Sequence, residues 1–256
     1  MPAPETGATW LVLPTYNEAE NIEPFVTAVR DNLPISAQIL VVDDNSPDGT
    51  GSRAEALAER HENVAVLHRR QKEGIGPAYV AGFRRALAAG AGLVAEMDSD
   101  FSHDPAYLPR LLDAAKRADL VLGSRYVPGG GISDWGPLRR AISRGGSAYA
   151  RLMLGVGVRD LTGGFKCFRR EVLEAIDLDA VQARGYAFQV EMTYRAIRQG
   201  FKVIEVPIVF RDRRAGKSKM DRSIVAEAAW QVPRLRFASE RRENARDGTG
   251  QRRYTF

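Results

Sequence analysis

Strand-length apolar runs alternate with helical segments along most of the first 210 residues, and this alternation limits the fold more than any other feature of the chain. The opening 9-TWLVLPTYNE-18 sets a short apolar run against Pro14, and 18-EAENIEPFVTAVRDNL-33 then places Ile22, Phe25, Val26 and Val29 at helical spacing. The pattern repeats. A continuous apolar strand, 38-QILVVDD-44, ends in two acids and precedes an Ala-rich helical stretch from Thr50 to Arg60. Next come the strand 64-VAVLH-68, a helix from Gly76 to Ala89, and the strand 92-GLVAEMDSD-100. Strands apolar along their whole length are covered on both faces, which predicts a largely parallel α/β sheet flanked by helices.

The rhythm continues with a helix at 105–117 and the strand 119-DLVLGSRYV-127, then breaks. Residues 128-PGGGISDWGPLRR-140 are rich in glycine and proline and read as a loop long enough to serve function. A helix from Ala141 to Leu154, the segment 159-RDLTGGFKCFRRE-171, a helix from Phe188 to Arg198 and the strand 202-KVIEVPIVF-210 follow.

At about 150 residues per domain, 256 residues suit one large domain or two small ones. With 44% hydrophobic and 27% charged residues the chain is too apolar to be disordered throughout. Cys167 is the single cysteine, which excludes an intramolecular disulfide and a cysteine-cluster zinc site and suits a reducing compartment. The longest stretch without Asp, Glu, Lys or Arg is Thr6 to Asn17, against about 20 apolar residues for a spanning helix, so no transmembrane helix is expected. The N-terminus lacks the basic start and apolar run of a signal peptide and reads as a short lead-in. Charge is uneven: residues 1–210 hold 24 Lys/Arg against 26 Asp/Glu, whereas residues 211–256 hold 13 against 6. A basic end suits a phosphorylated or anionic partner, or is simply a solvated tail.

Ligands of open parallel sheets bind beyond the carboxyl ends of the strands. Four polar clusters fall there: Pro14-Thr15-Tyr16-Asn17-Glu18, Asp43-Asp44-Asn45-Ser46, Asp98-Ser99-Asp100 and Gly123-Ser124-Arg125-Tyr126. If extended geometry persists, Asp98 and Asp100 point to one face and can converge on a cation. Carboxylates without His or Cys partners suit Mg2+ or Mn2+, with substrate phosphates completing the shell; the bland alternative is a solvated turn. Ser102 and His103 lie close enough to assist. Asp43 and Asp44 either bond a nucleotide's base or ribose or serve the turn chemistry of Asp-Asn-Ser-Pro-Asp-Gly. Arg125, Arg139, Arg140, Arg213, Arg214, Lys217 and Lys219 are candidate phosphate binders or solvated charges.

These motifs, with 213-RRAGKSKM-220, resemble the inverting family-2 glycosyltransferases of GT-A fold. More narrowly, the chain is similar to the dolichol-phosphate or polyprenol-phosphate mannose synthases that lack transmembrane helices. The resemblance implies a single Rossmann-like mostly parallel sheet, GDP-mannose as donor, a polyprenyl phosphate as acceptor, and inversion to give polyprenyl phosphomannose and GDP. By likeness, Pro14, Tyr16, Glu18, Val42 and Asp44 line the nucleoside pocket, with Ser99, Gln189 and Glu191 also on the donor side. Asp98, Asp100 and Ser102 surround the metal, Ser102 standing where some relatives have Gln. Arg125 with Arg139 or Arg140 holds the acceptor phosphate, Arg213 and Lys219 hold the donor pyrophosphate, and Asp100 and Arg125 are the catalytic expectations. The domain reading is a lead-in at 1–8, a catalytic domain at 9–237 and a basic tail at 238–256. A membrane surface and a membrane-anchoring protein are the expected partners, nucleic acid is not, and the expected location is the cytoplasmic face of a membrane. The segments 221–237 and Trp135, Leu138 and Ile142 are candidates for touching that membrane.

Three other readings compete. The stretch 49-GTGSRA-54 fits G-x-G-x-x-A and would suggest a dinucleotide-dependent oxidoreductase. Against it, Asp43 to Asp48 separate the strand from the first glycine, and no ribose-binding acid stands about 20 residues beyond. A non-enzymatic nucleic-acid or membrane module built on the basic end leaves the strand-end clusters unexplained. A family-2 transferase moving glucose or another sugar to polyprenyl phosphate is the nearest rival.

Overall fold

A computed structural model describes residues 7–181, 183, 185–212 and 230–237. The expectations on residues 1–6, Arg213, Arg214, Lys217, Lys219, 221–229 and the tail at 238–256 lie outside the described residues.

The elements in chain order are β1 (Thr9–Thr15), α1 (Ile22–Arg30), β2 (Gln38–Asp43), α2 (Thr50–Arg60), β3 (Val64–His68), α3 (Ile75–Ala88), β4 (Leu93–Glu96), α4 (Leu108–Ala114) and β5 (Leu120–Ser124). They continue with β6 (Gly131–Ile132), α5 (Pro137–Leu154), β7 (Lys166–Arg169), α6 (Arg170–Ala175), α7 (Tyr186–Arg198), β8 (Val203–Pro207) and β9 (Val209–Phe210). Seven strands form one sheet in the order β3-β2-β1-β4-β7-β5-β8, parallel except for β7, which runs antiparallel between β4 and β5. The strand order reverses beside β1, between β2 and β4, where open α/β sheets leave a crevice.

The continuous apolar runs follow from burial on both faces. Val12, Leu40, Val42 and Val94 point into one core with Phe83 and Phe188, while Leu11, Leu13, Ile39, Val41 and Ala95 point into a second with Phe25 and Leu111. Gly82 lets α3 lie close on the sheet, since a Cβ there would collide with the Val12 side chain and crowd Val42. The expected helix ends shift modestly. The region read as a loop at 128–140 contains β6, paired in parallel with β9, and the first turn of α5. That helix begins four residues before Ala141 because Pro137 follows Gly136 and suits a first helical position. The helix expected over 105–117 divides into a 3-10 turn, Pro105–Tyr107, and α4. The strand 202–210 breaks after Pro207 into β8 and β9, which belong to different sheets.

Candidate active site

Parallel register brings the carboxyl ends of β1, β2 and β4 together. Thr15 faces Asp43, Val12 faces Glu96, and beyond the paired residues Ser99 Oγ donates to the Pro14 carbonyl at 3.4 Å. Each strand then turns sharply: Asn17, Asn45 and Phe101 have φ of 57°, 58° and 62°. Asparagine tolerates this region; Phe101 is costlier there and is anchored by an edge-on contact with Phe25, centroids 4.9 Å apart. Asp48 stitches the first two loops, accepting from the backbone N–H groups of Ala19 and Thr50, both at 3.0 Å. The Glu18 backbone N–H donates to Thr50 Oγ1 at 2.9 Å, and Glu18 Oε2 accepts from Asn21 Nδ2 at 2.7 Å.

The two acids ending β2 divide their work. Asp43 is a turn residue: its carboxylate accepts from Ser46 Oγ at 2.5 Å and Ser46 N at 3.1 Å. Asp44 lines a cavity, holding the Arg69 guanidinium and accepting from the Glu73 backbone N–H at 3.4 Å. In the same loop Lys72, which also lines the cavity, sets its Nζ 3.9 Å from the centre of the Tyr16 ring.

Regular strand structure stops at Glu96, so the extended geometry expected through Asp98 and Asp100 does not persist; both residues nonetheless line one cavity, and the chain turns directly after them at Phe101. Asp98 Oδ1 accepts from Tyr79 Oη at 3.2 Å, and Asp100 Oδ1 accepts from the Ser102 backbone N–H at 3.0 Å. Burial, reinforced by the Asp98 charge, holds the Tyr79 hydroxyl well above its ordinary pKa, so it remains a donor. His103 is buried beneath the turn, its Nδ1 accepting from the Asp98 backbone N–H at 3.4 Å. Burial pushes its pKa down to about 4, leaving a neutral ring that packs against Phe165 and Phe210.

A buried polar cluster supports the other wall. Lys166, opposite Glu96 in the β4–β7 ladder, donates to the backbone oxygen of Gln189 at 2.9 Å and also to its Oε1. The amide oxygen is thereby occupied, and the amide nitrogen is set toward Gly164, where a Cβ would come within 3.2 Å of it and 3.7 Å of both Asp98 carboxylate oxygens. Glycine at 164 keeps this floor open.

The resulting cavity, about 350 Å³, is lined by Pro14, Tyr16, Glu18, Asp44, Asp98, Ser99, Asp100 and Gln189, all expected from sequence. Lys72, Thr162 and Gly164 line it too and were not expected; nor were Tyr79 and Lys166 behind it. A lysine inside the short apolar segment 165-FKCF-168 is the sequence signal that could have found the buried cluster. Other expected residues stand elsewhere. Val42 is buried in the core under α3. Glu191 accepts from the Ala183 backbone N–H at 3.2 Å and pairs with Arg195, so it fastens α7. Ser102 presents its backbone, not its hydroxyl, to Asp100. Arg125, 6% exposed, gives its fork to Asp160 at 2.7 Å through both Nε and Nη2, and Nη2 also reaches Thr162 Oγ1 at 2.8 Å. Arg139 lies 3.9 Å over Trp135 and pairs with Asp212 at 3.2 Å; Arg140 is exposed. Gly49 and Gly51 of the G-x-G-x-x-A stretch do not line the cavity.

Two carboxylates flanking one cavity give hard oxygen donors, and among the described residues no group of three or more His, Cys, Asp or Glu converges to form a complete protein cage. That set fits a cation that keeps water and substrate oxygens in its shell.

A family model described as glycosyl transferase family 2 matches residues 10–177. An undecaprenyl-phosphate mannosyltransferase of Micrococcus luteus is 49% identical over 228 residues, covering 89% of this chain and 93% of that protein. A polyprenol monophosphomannose synthase of Mycolicibacterium smegmatis is 49% identical over 229 residues, covering 89% and 86%. Glucosyl-3-phosphoglycerate synthase from Mycobacterium tuberculosis, solved with Mn2+, uridine diphosphate and glucosyl-3-phosphoglycerate, superposes with a TM-score of 0.65 at 21% identity, covering 91% of this chain and 80% of that one. A complex of that enzyme with Mg2+ and uridine diphosphate gives 0.65 at 19%, with coverage of 91% and 79%. At these identities the structural likeness concerns the fold.

Proposed function

The chain belongs to glycosyltransferase family 2, and on that premise we propose that it transfers mannose from GDP-mannose to a polyprenyl phosphate with inversion, releasing GDP. One observation carries the reading: the cavity that gathers Asp44, Asp98 and Asp100 at the reversal of strand order lies in a chain 49% identical to two enzymes named as an undecaprenyl-phosphate mannosyltransferase and a polyprenol monophosphomannose synthase; the GDP-mannose donor and the inversion are part of the proposal. Pro14, Tyr16, Glu18 and Asp44 receive the nucleoside, and Ser99 and Gln189 face the sugar. Asp98 and Asp100 would hold Mg2+ or Mn2+, which supplies charge compensation for the departing diphosphate. Arg213 and Lys219 are assigned to the same diphosphate.

Arg125, fixed by Asp160, and Arg139, stacked on Trp135, are assigned with Arg140 to the acceptor phosphate. The chain need provide no general base. A phosphate monoester has a second pKa of about 6 and arrives largely dianionic at neutral pH. Catalysis is then positioning: the acceptor oxygen is held in line behind the anomeric carbon, the new C–O bond forms as the bond to the diphosphate breaks, and one displacement inverts the centre. Because the acceptor carries a prenyl tail, the protein works at a membrane surface, on the cytoplasmic side where sugar nucleotides are available. Among the described residues no helix is long and apolar enough to cross a membrane.

Purified protein offered polyprenyl phosphate and radiolabelled GDP-mannose, UDP-glucose and UDP-galactose should form a labelled lipid from GDP-mannose, with a β-linked mannose. A glucosyl lipid as the main product would replace the mannose assignment, and no lipid product from any donor would overturn the reading.

A further inference from the structure

Three groups from three strand ends line the same end of the cavity: the Tyr16 ring after β1, the Asp44 carboxylate after β2 and the Lys72 ammonium after β3. The Asp44 backbone N–H donates to the Thr15 carbonyl at 3.0 Å, which sets the acid beside Tyr16. Residues 69–73 are pinned to Asp44 at both ends, by the Arg69 guanidinium and by the Glu73 backbone N–H at 3.4 Å. Lys72 therefore leaves the chain next to a group that touches Asp44, and its Nζ rests 3.9 Å from the centre of the Tyr16 ring. That contact holds the charge in place while leaving ammonium hydrogens for a ligand.

Asp44 is buried, and each of its carboxylate oxygens has one protein partner, Arg69 on Oδ1 and the Glu73 N–H on Oδ2. Each oxygen keeps a second lone pair, so the carboxylate offers two acceptor positions side by side. Among the common nucleobases only guanine matches this with two parallel donors, N1–H and N2–H, and it carries the O6 acceptor directly beside N1–H. Uracil has a single N3–H between two acceptors, and adenine sets an amino group where guanine has O6. A cation next to the carboxylate completes the complement of the guanine edge.

We propose that Lys72 reads the base of the donor: its ammonium donates to guanine O6 while Asp44 accepts from N1–H and N2–H, and the pair selects guanine over adenine and uracil. The inference rests on the proposed reading of this cavity as the nucleoside-diphosphate site and goes beyond it by naming what chooses the base. Arg69 and the Glu73 N–H act through Asp44, fixing the plane of its carboxylate. An ammonium placed on the diphosphate instead would favour every nucleoside diphosphate alike.

The test titrates GDP, inosine diphosphate, ADP, UDP and 6-thioguanosine diphosphate into the full chain with Mg2+, as wild type and as Lys72→Met. Wild type should bind GDP at least about tenfold more tightly than ADP, UDP or inosine diphosphate, which lacks the N2 amino group. Lys72→Met should weaken GDP by about 20-fold and leave ADP unweakened. The thio analogue, whose sulfur accepts poorly, should bind wild type weakly and lose little more in the variant. Lys72 is exposed, so Tm should stay unchanged. Equal losses of GDP and ADP would place Lys72 on the diphosphate and overturn the proposal. Undiminished GDP binding by Lys72→Met would overturn it too, as would wild type binding inosine diphosphate, ADP or UDP as tightly as GDP. If the base preference is as stated but GDP-mannose yields no polyprenyl product, the base assignment stands and the proposed reaction fails. Mannosyl transfer with an unchanged GDP-mannose KM in Lys72→Met does the reverse.

Discussion

Replacing Glu96 by Gln should remove a pH dependence of stability that a single buried carboxyl imposes. Glu96 is fully buried at the end of β4, 3.5 Å from Lys166 Nζ, too long for a strong hydrogen bond, and neither carboxyl oxygen has a hydrogen-bond partner among the described residues. Burial raises its pKa from 4.5 to about 7 despite the opposing pull of Lys166, while burial also lowers the pKa of that lysine. The folded state thus keeps a proton that the unfolded chain releases. The associated stability is complete below 4.5 and is lost as pH rises toward 7 and beyond, on the order of 3 kcal/mol for a shift of this size. Gln keeps the shape and cannot ionise. Urea unfolding of both proteins between about pH 5 and pH 8 should show the wild type losing roughly 2–3 kcal/mol relative to Glu96→Gln. Parallel stability curves would refute the argument. Because Lys166 still holds Gln189 in the variant, transfer activity at neutral pH should be near wild type.

Three further outcomes follow from the same geometry. Gly164→Ala puts a methyl 3.2 Å from the Gln189 amide nitrogen and 3.7 Å from the Asp98 oxygens, so the donor KM should rise about tenfold with little change in Tm. Asp160→Ala strands the buried Arg125 guanidinium and should cost about 3–5 kcal/mol by urea unfolding. Lys166→Met frees the Gln189 amide and leaves Glu96 without its cation; stability should fall and donor KM rise, and adding Glu96→Gln should recover stability more than KM, as a double-mutant cycle would show.

Strands β1, β2, β4 and β5 were legible because burial on both faces writes itself into the sequence as unbroken apolar runs, and the half-buried edge strand β3 because 64-VAVL-67 is short and apolar. The direction of β7 was not, since four residues carry no signal of parallel or antiparallel pairing. The cavity wall from Pro14, Tyr16, Glu18, Asp44 and the Asp98-Ser99-Asp100 turn was legible because polar residues at strand ends have few other reasons to cluster. Side chains whose neighbours come from distant segments were not. Arg125 reads as an open cation until Asp160, 35 residues on, takes its fork. Trp135 reads as a membrane-facing aromatic beside Leu138 and Ile142, yet it is buried, edge-on to Phe210 from β9. In 221–237, the described Val232 and Leu235 pack on the core while Trp230 and Phe237 are exposed.

The central claim is that the Asp98-Ser99-Asp100 turn binds a divalent cation together with the donor diphosphate. Electron paramagnetic resonance of Mn2+ titrated into the protein with GDP reads this directly. The account predicts a bound-Mn2+ signal that tightens when GDP is present, weakens in Asp98→Asn and disappears in Asp100→Asn, with transfer lost in parallel in both variants and in chelator. Unaltered Mn2+ and GDP binding in Asp100→Asn, or full transfer in chelator, would contradict it.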